Sequence, residues 1–335
     1  MLAKESDIVV NAAGPEWEVV PKALSASIEA GTNYCDIGGD GPTLEKVLEM
    51  DSRAKSQRVT ALLGIGYAPG LTNLMMVHAA RQLDRVDEVR CCWFFPFWNA
   101  KNVLQREKDA GRISASWQAI MKGAAPPFHS YRGGALSTVE GKTEKMEVVI
   151  PGHWQKMMPG YGKLPSVLAG TTEAITLPRL LPGVREVYAL FSFLPFSLNE
   201  AYMELGAQIA KGELNESQAA LAFLERAVLE AERDKLKESD FPTEITHAPV
   251  WAEAIGVKDG NRVKLACGPA GALFSTAATL AVAALKILKG EVKTPGILAP
   301  ESCLEPLPFF EEVARVVLKK EEPGKLLNEE LTSLG

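Results

Sequence analysis

Cysteine is scarce in this chain, five residues in 335, with Cys91 and Cys92 adjacent and the others scattered. That density and spacing exclude a disulfide framework and a zinc site and suit a reducing cytoplasm, and no metal is expected. No segment supplies the roughly 20 strongly apolar residues of a membrane span. The nearest, Gly271 to Leu288, is rich in Ala, Ser and Thr and reads as a buried, close-packed helix. The N-terminus carries acids where a signal peptide has a basic head and an apolar core. Basic charge is not in excess: 36 Lys and Arg stand against 42 Asp and Glu, a formal charge of −6. The chain therefore lacks the basic stripe that a phosphate backbone requires, and neither nucleic acid nor membrane is an expected partner. Also missing are a Gly-x-Gly-x-x-Gly between a first strand and a first helix, a Walker loop, a zinc-protease motif and a nucleophile elbow. The run Gly64-Ile65-Gly66-Tyr67-Ala68-Pro69-Gly70 has the wrong spacing for a dinucleotide fingerprint.

What remains is an ordinary globular composition, 47% hydrophobic and 23% charged, at a length that suggests two domains. The short apolar run that opens Asp7–Pro15 and halts at Gly14-Pro15, then Asn33 to Ile37 and Arg58 to Leu63, read as short buried strands, each ending at Gly or Pro. Helices follow at Trp17–Ala30, Thr43–Ser56 and Leu71–Leu83. This alternation predicts a parallel, Rossmann-like sheet covered by helices, with ligands past the carboxyl ends of its strands. From Val86 onward, strands at Val89–Phe95, Lys145–Ile150, Val187–Phe193 and Arg262–Ala266 sit among turn-rich loops, the pattern of an α+β domain with an open antiparallel sheet. Asn215-Glu216-Ser217-Gln218 opens a capped structural helix running to about Lys237. Phe309 to Lys319 is the closing helix. The fold class is thus α/β with a second α+β substrate and dimerisation domain. Residues 1–84 form a partial Rossmann-like unit, 85–268 the second domain, and 269–335 helices that return to the first.

The ends of the three early strands carry Asn11/Gly14/Pro15, Asp36/Gly38/Gly39 and Gly64/Gly66/Pro69/Gly70. In a doubly wound sheet such ends converge on one crevice, although Gly and Pro also simply make strand-to-helix turns.

Three strings carry a family resemblance: Val10-Asn11-Ala12-Ala13-Gly14-Pro15, Ala30-Gly31-Thr32-Asn33-Tyr34-Cys35-Asp36-Ile37-Gly38-Gly39 and Gly66-Tyr67-Ala68-Pro69-Gly70-Leu71-Thr72-Asn73. Together they resemble the second half of the nucleotide-binding domain of the saccharopine dehydrogenase and lysine 6-dehydrogenase family. Gly170–Arg179 resembles a substrate-domain segment of that family, and Lys289–Glu301 its closing segment. The resemblance implies hydride transfer between NAD or NADP and a carbon–nitrogen bond of an amino acid or its imine. It implies cofactor contacts at Asn11, Gly14, Pro15, Gly66 and Pro69, and substrate contacts at Tyr34, Asn73, Glu173 and Arg179. Arg179 could clamp a carboxylate or make a surface salt bridge. Asp36 could bind an ammonium, act as base or cap a turn, and His153 could shuttle a proton or be an idle loop histidine.

Two departures accompany the resemblance. Ala68 stands before Pro69-Gly70 where saccharopine-forming reductases carry an aspartate, and Trp93-Phe94-Phe95 follows Cys92 where they carry small glycines, so a bulkier, more apolar pocket is expected. Cys92 itself reads as a buried strand residue. The glycine-fingerprint units that precede this region in the family have no counterpart ahead of Asp7. The expectation is therefore an oxidoreductase that binds NAD(P) weakly or not at all and is inactive alone; either the reading frame is cut short or a separate chain supplies the missing N-terminal βαβ half. The alternative is a non-catalytic amino-acid-binding or assembly protein. The aromatic stretch Trp93–Trp98 suggests a homodimer.

Overall fold

Short apolar runs punctuated by Gly and Pro set β1 (Ile8–Asn11), β2 (Asn33–Asp36) and β3 (Thr60–Leu62) side by side as parallel strands, each followed by a helix. The structure, a computed structural model, describes residues 2–155, 158, 160–240, 249–271 and 273–335. Residue 1, residue 272 of the small-residue run, and 156, 157 and 159 of the Gly- and Pro-rich middle loops lie outside the described residues.

The second sheet begins with β4 (Arg85–Pro96). It continues through β5 (Phe128–Arg132), β6 (Ala135–Val139), β7 (Lys145–Val149), β8 (Lys163–Leu168), β9 (Glu186–Leu194), β10 (Val250–Lys258) and β11 (Asn261–Pro269). Two further strands come late: β12 (Gly296–Leu298) joins the first sheet beside β3, and β13 (Leu327–Ser333) joins the second beside β11. The first sheet has the order β1-β2-β3-β12. The second runs β13-β11-β10-β4-β9-β5-β6, with β8 also on β9 and β7 on β8. The chain is therefore α/β, a parallel Rossmann-like sheet with a second, mixed sheet. The region 269–335, read from sequence as helices, supplies a strand to each.

Helices Glu16–Ala30 and Gly41–Leu48 cover one face of the first sheet through Val20, Leu24, Ile28, Leu44 and Val47. Helix Thr276–Leu288 covers the other through Ala283 and Ile287, and helix Pro306–Leu318 packs on it and on Leu71–Ala80 through Phe309 and Phe310. The first of these is the small-residue run; Ser275 caps it, it packs on β1 and β2, and Leu285 and Leu288 face solvent. Helix Leu71–Ala80 is apolar on nearly every side, as a helix enclosed between layers must be, and it lies between the two sheets, touching β4, β10 and β11. One continuous core joins Cys35 and Leu62 of the first sheet to Val89, Cys91, Val187 and Ala252 of the second.

Several elements differ from their sequence reading. Thr43–Ser56 is two helices, Gly41–Leu48 and Asp51–Ser56; the break lets the Asp51 carboxylate accept the N–H of Ile297 (2.9 Å) and hold β12 in place. The second sheet is not wholly antiparallel. Its central pair β4/β9 runs parallel from Glu88↔Glu186 to Pro96↔Leu194, because the long excursion between the strands gives the chain room to cross over. The aromatic stretch is covered within the chain. Phe95 and Phe97 pack with Phe193 and Phe223 beneath helices Ala115–Lys122, Ser197–Ala210 and Glu216–Arg233, so these rings need no second subunit to shield them.

Candidate functional site

The carboxyl ends of β1 to β3 face the β4/β9 surface of the second sheet across a cavity of about 360 Å³. Two loops shape its first wall. At the end of β1, Gly14 lies against helix Ala115–Lys122 so closely that a Cβ there would come within 2.6 Å of the Ala115 Cβ. Past β3, the loop closes on itself: Gly66 N–H bonds to Pro69 O (3.0 Å) and Leu71 N–H to Gly66 O (3.1 Å). Gly70 closes that ring at φ +119°, where a side chain would be strained and a Cβ would meet Gly66 N at 2.6 Å. The opposite wall is the inward face of two paired strands, Cys91 and Trp93 of β4 beside Ala189 and Phe191 of β9. Trp93 meets Tyr67 edge-on at 6.0 Å, which joins the walls in one aromatic patch.

Four carboxylates converge here: Glu16, Asp36, Asp40 and Glu173. Asp36, 1% exposed, ends β2. Its Oδ1 accepts the N–H groups of Gly38 (3.0 Å) and Gly64 (2.9 Å), and its Oδ2 accepts the Tyr34 hydroxyl (3.0 Å), which in turn accepts the Asn11 amide (3.0 Å). Burial raises the Asp36 carboxyl, opposed by those three donors. Glu16 begins the helix after β1, and its Oε2 accepts the N–H groups of Gly39 and Asp40. Burial pushes Glu16 up to about 8, with the Asp40 and Asp36 carboxylates adding to the rise. Asp40 caps helix Gly41–Leu48 by accepting from Thr43 N–H (2.9 Å) and hydroxyl (2.5 Å), and burial raises it too. Glu173, 2% exposed, starts a helical turn on the second wall. It accepts the Cys91 thiol at Oε1 (3.7 Å), while Oε2 is buried with no hydrogen-bond partner. Burial raises Glu173, opposed by hydrogen bonds from the Thr171 hydroxyl and its own N–H, and nearby Glu301 adds to the rise. Among the described residues, no lysine, arginine or histidine lines the cavity, and no group of three or more His, Cys, Asp or Glu is placed to hold a metal ion.

Of the residues singled out in the sequence, Asn11, Gly14, Asp36, Gly66, Pro69 and Glu173 line this cavity. Tyr34 lies beneath it, bonded to Asn11 and Asp36. Pro15 stands at the cap position of the helix that Glu16 begins and is not part of the lining. Asn73 borders a water-sized space of about 20 Å³ behind Asp36, where its amide reaches Glu301 (3.3 Å) and its oxygen accepts Gly70 N–H (3.1 Å). Arg179 is elsewhere. It ends a 3-10 turn beside a separate surface cavity lined by Leu44, Leu298 and Ser302, within the field of Asp51. His153 is also apart: its N–H bonds to Glu330 (2.7 Å) and its ring packs on Trp154, in the core on the far face of the second sheet. Cys92 is buried on that far face as well, whereas Cys91 faces the cavity. Glu16, Asp40 and Trp93 had not been singled out as site residues. Asp40 before Gly41-Pro42-Thr43 is a readable helix cap and Glu16 a readable first-turn acid, but only the fold shows that they meet.

The cavity can be tested against a nicotinamide dinucleotide. Its aromatic wall and acids suit a flat, cationic nicotinamide ring. They do not suit the diphosphate, which seeks free N–H groups at a helix N-terminus and positive charge. Here Glu16 already takes the N–H groups of Gly39 and Asp40, and acids line the wall.

No family model matches the chain. Among solved structures, it is similar to apo histidine-tagged saccharopine dehydrogenase (L-Glu forming) from Saccharomyces cerevisiae. The TM-score is 0.55 at 13% identity, over 99% of this chain and 86% of that one, a likeness of fold. More distant likenesses are a dehydrogenase (MviM) from Clostridium difficile and GenD2 from gentamicin A biosynthesis in complex with NAD. The first has a TM-score of 0.34 and 8% identity over 95% of this chain and 81% of that one. The second has a TM-score of 0.32 and 11% identity over 100% and 81%.

Proposed function

We propose that this protein is an oxidoreductase of the saccharopine and lysine dehydrogenase type, acting at a carbon–nitrogen bond of an amino acid or imine held in the 360 Å³ cavity. The observation that carries the reading is the convergence of four carboxylates, three of them buried, and an aromatic wall past the carboxyl ends of a parallel sheet, in a fold shared with saccharopine dehydrogenase. In this reading an ammonium or iminium nitrogen sits among Glu16, Asp36 and Asp40. Asp36 is held rigid by two backbone N–H groups and Tyr34, so it orients the nitrogen by charge. In the ligand-free cavity Glu16 keeps its proton at neutral pH, since burial holds it near 8; a bound ammonium displaces that proton, and the carboxylate can then take up the proton the nitrogen gives up. Trp93, Phe191 and Ile37 exclude water from the reacting carbon.

NAD or NADP would supply the hydride acceptor, and Trp93 and Phe191 are the residues that would hold its ring. The test is an absorbance assay of the purified chain with NAD or NADP and a panel of amino acids and amines, in wild type and Asp36→Asn. Reduction that the variant abolishes supports the reading. Absence of reduction with every substrate and both cofactors, by the chain alone and with an added βαβ fragment that carries the glycine fingerprint, overturns it. The all-acid lining suits an amino group and also favours a second reading, an amino-acid-binding protein without turnover that leaves the carboxylate outside the cavity, in which ligands raise the melting temperature and no hydride moves.

A further inference from the structure

Helix Thr276–Leu288 is apolar even on the side it turns to solvent. Ala277, Ala281, Leu285 and Leu288 stand at helical spacing on one flank and all are exposed, Leu285 at 50% and Leu288 at 47%. Lys286, on the opposite flank, bonds to Glu312 of helix Pro306–Leu318 (2.5 Å), so the strip faces away from that neighbour. The helix packs on β1 and β2, and among the described residues β1 is the edge of its sheet, paired with β2 alone. Ile8 packs into the core on the helix side of that sheet and Val9 into the core on the other face. Alternation therefore puts Val10, 46% exposed, on the same side as the strip. A surface helix normally gives its solvent face to polar residues, and a bare strand edge beside an apolar strip is a surface that another chain covers.

We propose that the occupant is a second copy of this chain, joined about a twofold axis perpendicular to the first sheet, with β1 antiparallel to the partner's β1 and the two helices Thr276–Leu288 side by side. The pattern is self-complementary, as a twofold contact requires. Run antiparallel about Val282-Ala283, the helices set Ala277 opposite the partner's Leu288 and Ala281 opposite the partner's Leu285, so a small residue meets a large one at each position. Centred on Val9, the strand pair sets Ile8 opposite the partner's Val10, both on the helix side, and Asp7 opposite the partner's Asn11. A centre between two residues would place side chains of opposite faces across from each other, which the pleat forbids. One axis serves both elements. Thr276 and Ala12 line the same cavity at the carboxyl end of the sheet. From Thr276 to the helix centre is about 10 Å, and from Ala12 back to Val9 is also about 10 Å, so the two centres stand at the same height. The surface, about 17 Å along the helix and 15 Å across helix and strand, is on the order of 250 Å² per copy. Stable complexes bury roughly 800 Å² per partner, so this dimer is reversible and forms at micromolar rather than nanomolar concentration. It is separate from the aromatic stretch Trp93–Trp98, and the proposal does not depend on the oxidoreductase reading.

Sedimentation of the full chain from about 1 to 300 μM tests this: the mass should rise with concentration from 36.2 kDa toward twice that value. Leu285→Lys and Leu288→Lys change exposed positions, so each should fold as wild type by circular dichroism and weaken association at least tenfold. In the double variant Ala277→Cys/Leu288→Cys the two thiols lie about 17 Å apart on one helix, outside the reach of a disulfide, so a disulfide between them links two copies. Under mild oxidant this variant should run as a covalent dimer on a non-reducing gel, whereas wild type and Ala277→Cys alone should not. A monomer at every concentration, association undisturbed by either lysine in the folded variant, or no cross-link in an associating double variant would overturn the proposal. A chain that stays monomeric and takes up an added βαβ fragment, with uptake lost in Leu285→Lys, would assign the surface to that fragment and overturn it as well.

Discussion

Replacing Glu16 by Gln isolates the electrostatic cost at the centre of the cavity. Burial raises the Glu16 carboxyl from its ordinary value near 4.5 to about 8. The folded chain therefore keeps a proton that the unfolded chain has lost throughout that window. Because the unfolded state then binds fewer protons, stability falls as pH rises from 4.5 to 8 and the loss is complete above 8. At about 1.4 kcal/mol for each tenfold change in protonation, the full effect approaches 5 kcal/mol. Some relaxation of the half-buried side chain makes about 3–5 kcal/mol the expected range. Gln keeps a carbonyl oxygen for the N–H groups of Gly39 and Asp40 but does not titrate. Urea denaturation of wild type and Glu16→Gln at intervals from pH 5 to pH 9 measures the difference directly. The variant should gain about 3–5 kcal/mol on wild type across this range. The other raised carboxyls, Asp36, Asp40 and Glu173, titrate in both proteins and largely cancel. Parallel stability curves for the two proteins would refute the assignment of a neutral, buried Glu16.

Other outcomes follow from the same geometry. Asp36→Ala leaves the N–H groups of Gly38 and Gly64 without their acceptor; a stability loss of about 2–4 kcal/mol by denaturant titration is expected, and a loss under 1 kcal/mol would contradict the bonding described. Gly70→Ala places a Cβ against Gly66 at a positive φ, so about 1–3 kcal/mol should be lost together with ligand-induced stabilisation, read as a smaller melting-temperature rise with amine. Asn215→Ala removes the reciprocal cap with Gln218 (2.9 and 3.0 Å) far from the cavity, costing about 1 kcal/mol with amine affinity unchanged. An ammonium bound beside Glu16 displaces its proton. Amine affinity should therefore rise by up to about tenfold per pH unit between pH 6 and 8, and calorimetry in buffers of different ionisation enthalpy should detect one proton released.

Much of the first wall was legible because Gly and Pro stop each early strand where a parallel sheet places its ligands. Asn11–Gly14, Asp36–Gly39 and Gly66–Pro69 all reach the cavity. The rest depends on direction and distance in space. Arg179 and Glu173 are six residues apart, yet Glu173 faces the cavity, while the turn Leu177–Arg179 carries the arginine to another surface. Cys91 and Cys92 point to opposite faces because strand side chains alternate, and nothing local says which face meets the first sheet. The roof, helix Ala115–Lys122, follows a loop of ordinary composition, and its contact with Gly14 is purely tertiary. Strand β12, three residues long, declares itself only by pairing with β3 and by the Asp51 bond. The hairpin β5/β6 did carry a readable signal, Gly133-Gly134 between alternating runs.

The central claim is that the cavity between the two sheets is a ligand site whose acids meet positive nitrogen. A crystal structure of the chain with 1,5-diaminopentane tests it most directly. The account predicts a nitrogen within hydrogen-bonding distance of Asp36 or Glu16 and the carbon chain against Trp93. Diamine found only outside the cavity, or a cavity that holds an anion in contact with Glu173, would contradict it.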